Sequence, residues 1–225
     1  MDKAMQRPLV TGYAWSPDEG GGHVRDTRVR WALEEVGQPY DMRNLDWGEQ
    51  KEPDHRSRNP FGQVPTYEER ELTLFESGAI VLHIAQTRPG LLPDDPEGRS
   101  RAIQWMFAAL NTVESPITDI VIAKYVEGKE SWAHDRLPLV EGRVRERLTE
   151  LTAALGNADW LDGEFSAGDL LMIAVLRNLG GSPMFADYPT LQTYVARGEQ
   201  RPAFQRALRS LRTDQTGKRP ANWPK

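Results

Sequence analysis

Asn59-Pro60-Phe61-Gly62-Gln63-Val64-Pro65, with Phe75-Glu76-Ser77-Gly78-Ala79-Ile80 shortly after it, decides how the first third of this chain is read. A proline entering a strand implies an edge strand, a strand that starts at the proline after a turn, or a cis Val64–Pro65 peptide. In the cis form the Val64 N–H and C=O turn outward, where an extended peptide ligand can pair with them as an added strand. Glu76-Ser77 stands where a helix begins. A serine hydroxyl and the first-turn N–H groups form a cradle for an anion, because the helix N-terminus carries partial positive charge. The Glu76 carboxylate suits an ammonium group, so the pair matches both charges of an α-amino acid zwitterion. It also fits a plain N-cap.

Working outward, residues 63–67 and 71–75 flank the charged turn Glu68-Glu69-Arg70 and predict an antiparallel hairpin. Residues 8–15 predict a first strand, closed by the turn-rich Ser16-Pro17-Asp18-Glu19-Gly20-Gly21-Gly22. Val24, Arg28, Trp31, Ala32 and Val36 recur at helical spacing up to Gly37, a natural stop, and residues 40–45 predict a second strand. Residues 49–57 are polar and read as irregular, and residues 76–86 as a helix. Residues 89–96, with three prolines and two aspartates, read as a linker. Beyond it the periodicity is helical: residues 100–113, 119–125, 140–155, an almost wholly apolar helix at 167–179, and a final helix at 191–211 broken near Arg201-Pro202. The tail after Thr213 is polar and expected to fray. The predicted fold is an α/β domain (1–88), a linker (89–98) and an all-helical domain (99–225).

Composition narrows the chemistry. At 39% hydrophobic and 27% charged, the 225 residues are too apolar for a disordered chain, and no run approaches the ~18 apolar residues of a membrane span. The polar start, Met1 to Arg7, lacks the apolar core of a secretory signal, so the expected location is cytoplasmic. A net charge of −5 gives no basic footprint for nucleic acid or a membrane surface. There is no cysteine, which excludes disulfides, thiolate metal sites and protein-thiol chemistry. The four histidines (His23, His55, His83, His134) show no i, i+4 pair, so no metal site is expected.

The segments at 59–65 and 75–85 (FESGAIVLHIA) together resemble the glutathione-binding half of the cytosolic glutathione S-transferase family, of bacterial type and undefined class. Residues 27–40, 163–169, 188–191 and 201–204 match that family in the same order, so the resemblance runs over residues 9–211. It implies a thioredoxin-like N-terminal domain, an all-α C-terminal domain and a homodimer that binds glutathione without a metal. By motif, Val64 would pair its backbone with the cysteinyl unit, and Pro65 would be a cis proline. Glu76 and Ser77 would hold the γ-glutamyl end, Gln63 would add a side-chain contact, and Lys51 would reach the glycyl carboxylate, with Gln50 and His55 as alternatives. Ser166 and Asp169 read as a capping box of structural role only.

The resemblance weakens where the family's chemistry sits. A Tyr, Ser or Cys just after the first strand donates a hydrogen bond to the glutathione sulfur and so favours the thiolate. Here that stretch is a long loop, and counting back from Arg28 lands on Gly22, His23 or Val24. Ser16 and His23 are the catalytic candidates, with Tyr13 third. The amides of Gly20-Gly21-Gly22 form an alternative nest for the sulfur, and a Ser-Pro turn is the structural reading of Ser16. Trp15, Met106, Leu110 and Asn111 are candidates for the electrophile site, although such side chains at helical spacing are more often core. The expected activity is conjugation of glutathione to small hydrophobic electrophiles, a detoxification chemistry. The alternatives are a glutathione-dependent peroxidase, isomerase or lyase on the same fold, or a non-catalytic ligand carrier or interaction protein.

Overall fold

The structure, a computed structural model, describes residues 7–221; residues 1–6, most of the polar start read above, and 222–225 lie outside the described residues. Two compact units divide the chain, Met1–Leu91 with Arg201–Lys225, and Leu92–Gln200.

The first unit is built on β1 (Leu9–Tyr13), α1 (Asp26–Glu35), β2 (Asp41–Leu45), α2 (Pro53–Arg56), β3 (Thr66–Glu69), β4 (Leu72–Phe75) and α3 (Ser77–Thr87). Its mixed sheet has the order β2-β1-β3-β4. β1 runs parallel to β2 from Leu9↔Asp41 to Tyr13↔Leu45 and antiparallel to β3. The predicted hairpin is present, with Thr66 opposite Phe75 and the turn at Arg70, whose φ is 56°. Parallel pairing of β1 with β2 needs a crossover, and α1 supplies it. Its apolar stripe (Val29, Trp31, Ala32, Leu33) is fully buried, together with Val10, Tyr67, Ile80 and Ile84. This is the thioredoxin-like arrangement expected. The stretch read as irregular contains a single turn at Glu49–Lys51 and the short α2.

One element lies where the sequence did not place it. α10 (Pro202–Asp214), expected in the helical domain, belongs to the first unit and packs on α1. Phe204 meets Trp31 edge to face with ring centroids 4.9 Å apart. Arg201 grips Glu35 through two bonds of 2.6 and 2.9 Å. Arg30 of α1, with no solvent exposure, donates to Asp26 at 2.9 Å, to Ser210 at 3.0 Å and to Asp214 at 2.5 Å. Burial pushes the Asp26 carboxyl up, and the Arg30 charge only partly opposes this. Asp26 Oδ1 has no hydrogen-bond partner. The tail expected to fray instead returns to β1: Gly217 N–H donates to the Ala14 carbonyl at 2.8 Å.

The second unit holds α4 (Pro96–Phe107), α5 (Glu114–Val121), α6 (Ala133–Leu155), α7 (Ala167–Leu176), α8 (Pro183–Ala186) and α9 (Pro189–Glu199). π-helical turns at Ala108–Val113 and Ile122–Val126 continue α4 and α5. α6 starts seven residues before the predicted helix and takes in Pro138. α7 is buried almost throughout. Its N-terminus carries the predicted capping box: Ser166 Oγ accepts from Gly168 N–H at 3.1 Å, and Asp169 accepts from the Ser166 and Leu161 N–H groups and from the Tyr194 hydroxyl. Burial raises the Asp169 carboxyl, against the pull of the groups that donate to it.

Removing the Arg30 charge strands Asp26 in a dry interior. Arg30→Met is therefore expected to cost about 3–5 kcal/mol in urea unfolding, and the double variant Arg30→Met, Asp26→Leu to recover much of it. Equal losses in the single and double variants would contradict this.

Candidate functional site

The turn from Asn59 to Pro65 is shaped from beneath by α2. His55, 2% exposed, and Asn59, 3% exposed, both address the Gln63 carbonyl, at 2.8 and 2.9 Å. Because a carbonyl only accepts, His55 must carry its proton on Nε2. Asn59 Oδ1 also accepts from Phe61 N–H at 3.0 Å. Gly62 sits at φ 60°, and a Cβ there would lie 2.7 Å from the Gln50 carbonyl. The turn therefore needs glycine twice over. Its product is a fixed Val64–Pro65 step, with a cis peptide, just before β3. Pro65 is buried, Val64 half-buried and Gln63 exposed.

Lys51 is exposed, and its Nζ donates to the Phe61 carbonyl at 3.1 Å, so an ammonium group stands over this turn. The two alternatives to Lys51 point elsewhere. Gln50 is buried and accepts from Gly48 N–H, and His55 is the buried support just described.

At the other motif, Ser77 opens α3 and is 4% exposed. Its hydroxyl oxygen accepts from Arg28 Nη1 of α1 at 3.2 Å. Glu76 is exposed, holds a φ of 70° and makes no side-chain cap bond. That conformation costs a non-glycine residue about 1 kcal/mol or more. The plain N-cap reading fails for Glu76, and an outward carboxylate beside a buried guanidinium and a helix N-terminus remains. Arg28 does not stand out in the sequence as a site residue, because it falls at helical spacing within the α1 stripe. The available signal was a charge on an otherwise apolar face.

The loop after β1 closes on Asp18. Ser16, 1% exposed, donates its hydroxyl proton to Asp18 Oδ1 and accepts from Gln215 Nε2 at 2.5 Å. Asp18 Oδ2 accepts the His23 N–H at 2.7 Å, and the Asp18 carbonyl accepts the Gly21 N–H at 2.8 Å. The single Ser16 proton is thus committed to a carboxylate, while the His23 side chain is exposed just ahead of α1. The Tyr13 ring stacks near Trp47 at 5.1 Å, and burial, with the Asp26 charge adding, pushes its phenol up to about 12. Of the electrophile-site candidates, Met106 is buried in the core of the helical unit, Trp15 and Leu110 are half-buried and Asn111 is exposed.

Residues 19–86 match the profile of the glutathione S-transferase N-terminal domain family. A probable glutathione S-transferase of Oryza sativa subsp. japonica is 30% identical over 191 residues, covering 80% of this chain and 89% of the relative. The chain belongs to the glutathione S-transferase family. A glutathione S-transferase of Zea mays is 28% identical over 190 residues, again covering 80% of this chain and 89% of its own length. Among solved structures, a glutathione transferase of Burkholderia graminis with two glutathione molecules bound per subunit superimposes with a TM-score of 0.79 at 26% identity, covering 91% of this chain and 88% of that one. These sequence relatives are plant enzymes, so they support a plant-like class and not the bacterial type expected. The family profile takes in His23, Arg28, Lys51, Gln63, Val64, Pro65, Glu76 and Ser77, and begins after Tyr13 and Ser16.

Two predictions test the geometry. His55→Ala leaves the Gln63 carbonyl one donor short and is expected to weaken glutathione binding roughly tenfold by calorimetry, whereas Gln50→Ala is expected to leave it near wild type. Tyr13, held at about 12, should stay a neutral phenol at pH 10, so Tyr13→Phe should remove only a late phenolate component from an alkaline ultraviolet titration.

Proposed function

We propose that the chain is a glutathione transferase that joins the glutathione sulfur to small hydrophobic electrophiles. The observation that carries this is the pairing of two prepared ends: the fixed Val64–Pro65 step, and the Glu76–Ser77–Arg28 group at the start of α3. In this reading Val64 pairs its N–H and C=O with the cysteinyl unit. Glu76 takes the γ-glutamyl ammonium. Ser77 and the first N–H groups of α3 take its carboxylate, with Arg28 orienting the Ser77 oxygen and adding positive charge. Lys51 meets the glycyl carboxylate, and Gln63 adds a side-chain contact.

For the thiol, the proposed facing group is His23. An imidazole N–H directed at sulfur, beside the positive end of α1, favours thiolate over thiol. Ser16 becomes part of the frame, because its proton is held by Asp18. The thiolate lone pair then forms the S–C bond; the leaving group departs with its electron pair, or, in an addition, the substrate carbon takes a proton from solvent. The reading includes a cytoplasmic homodimer working in detoxification, with glutathione as co-substrate and no metal. No helix among the described residues is long and apolar enough to cross a membrane.

The test follows thiolate absorbance of bound glutathione against pH in wild type, Ser16→Ala and His23→Ala. The expected result is a depressed thiol pKa that rises in His23→Ala and stays put in Ser16→Ala. A reversal of the two variants would return the role to Ser16, and binding with no depression in wild type would make the chain a carrier. Glu76→Ala and Ser77→Ala are each expected to weaken glutathione about tenfold or more, as a charge-assisted bond to the ligand is lost. Unchanged affinity in both would sink the site.

A further inference from the structure

The last turn of α10 and the segment that leaves it touch the stretch after β1 at three places. Arg212 Nε donates to the Gly20 carbonyl at 3.3 Å, and a Cβ on Gly20, whose φ is 79°, would lie 2.8 Å from Arg212 Cγ. Gln215 Nε2 donates to Ser16 Oγ at 2.5 Å. Gly217 N–H donates to the Ala14 carbonyl, and a Cβ on Gly217 would lie 2.9 Å from the Ala14 backbone, so the two stretches meet with no room for a side chain. From Gln215 the bonds continue without a gap: Ser16 donates to Asp18, and Asp18 accepts the His23 N–H.

We infer that Gln215 is a positioning residue for thiol activation, acting on His23 through Ser16 and Asp18 while Gly217 and Arg212 clamp the loop. The inference rests on the transferase reading above. Ser16 has one proton and two lone pairs; with Gln215 filling a lone pair, its hydroxyl is turned to donate to Asp18. Asp18 so oriented holds the His23 backbone and fixes where that side chain starts. Without Gln215, the Ser16 hydroxyl is free to rotate and Asp18 is free to swing toward His23's side chain or solvent. The charged and titratable groups around the loop include Asp18, Glu19 and His23 on the loop itself, Arg25 just before α1, Arg212 from α10, Arg219 beside Glu19 on the returning tail, and Asp26 from α1. Two loop carboxylates oppose a thiolate, so holding Asp18 away from the sulfur is as useful as placing His23.

The experiment measures the thiol pKa of bound glutathione in the full-length chain, with Gln215→Ala and Gly217→Ala beside wild type. Glutathione affinity at a pH where the thiol is protonated is measured in parallel, along with thermal melting. The expected result is a bound-thiol pKa raised by about half a unit or more in both variants, with protonated-thiol affinity within about twofold of wild type and kcat falling more than KM rises. If wild type depresses the thiol pKa and both variants match it, Gln215 does not position the loop, although the transferase reading stands. If the pKa rises only together with loss of affinity and of melting temperature in both variants, the tail's role is structural and the inference is overturned. If wild type binds glutathione with no depression, the transferase reading fails and takes the inference with it.

Discussion

Arg30 has no exposure to solvent, so its charge has to be answered inside the protein, and the two answers come from opposite ends of the chain. Asp26 lies one helical turn earlier and would be present in any folded α1. Asp214 lies at the end of α10, 184 residues away. An isolated buried guanidinium is far costlier than a paired one, so the first unit favours the arrangement in which α10 lies on α1. The Trp31–Phe204 contact and the Arg201–Glu35 fork then add apolar area and direction to the same seam. From the end of α10 the chain runs back over the end of β1, where Gln215 and Gly217 bond to Ser16 and Ala14. The buried cation thus ties the helix that carries the returning tail to α1.

The candidate site is built mainly from backbone that side chains hold in place. His55 and Asn59 recognise nothing themselves on this reading; they fix the Gln63 carbonyl, and through it the peptide that faces a ligand. Arg28 stands behind Ser77 in the same supporting relation. Such a site tolerates exchange of exposed residues better than exchange of the buried polar groups below them, because an unpartnered buried donor carries its full desolvation cost.

The parts of the fold visible in the sequence were those set by local chemistry. The hairpin, the stop at Gly37, the Ser166–Asp169 box and the break at Arg201-Pro202 each follow from a few neighbouring residues and are present. The hairpin's turn is Arg70–Glu71 and not Glu68-Glu69-Arg70, since Glu68 and Glu69 pair with Thr73 and Leu72 inside the sheet. The placement of α10 was not visible, because its amphipathic stripe fits any apolar surface and only the buried Arg30 chooses one. Arg28 and Asp18 were hidden for a related reason: their partners, Ser77 on one side and Ser16 and the His23 N–H on the other, are assigned by the fold and not by periodicity. The start of α6 was hidden by Pro138, which lies inside the helix.

Because the first unit contains both Met1–Leu91 and Arg201–Lys225, the order of synthesis does not match the order of assembly. A ribosome delivers β1 to α3 early and then must make all of Leu92–Gln200 before α10 exists. During that interval the α1 surface that will receive Phe204 is exposed, and Arg30 has only Asp26 to answer it. The sheet can form as the chain emerges, but its last partner arrives only after Leu92–Gln200 has been made. The growing chain therefore carries an unfinished apolar seam for as long as the intervening unit takes to make, a window in which a chaperone or a second nascent copy can compete for that surface.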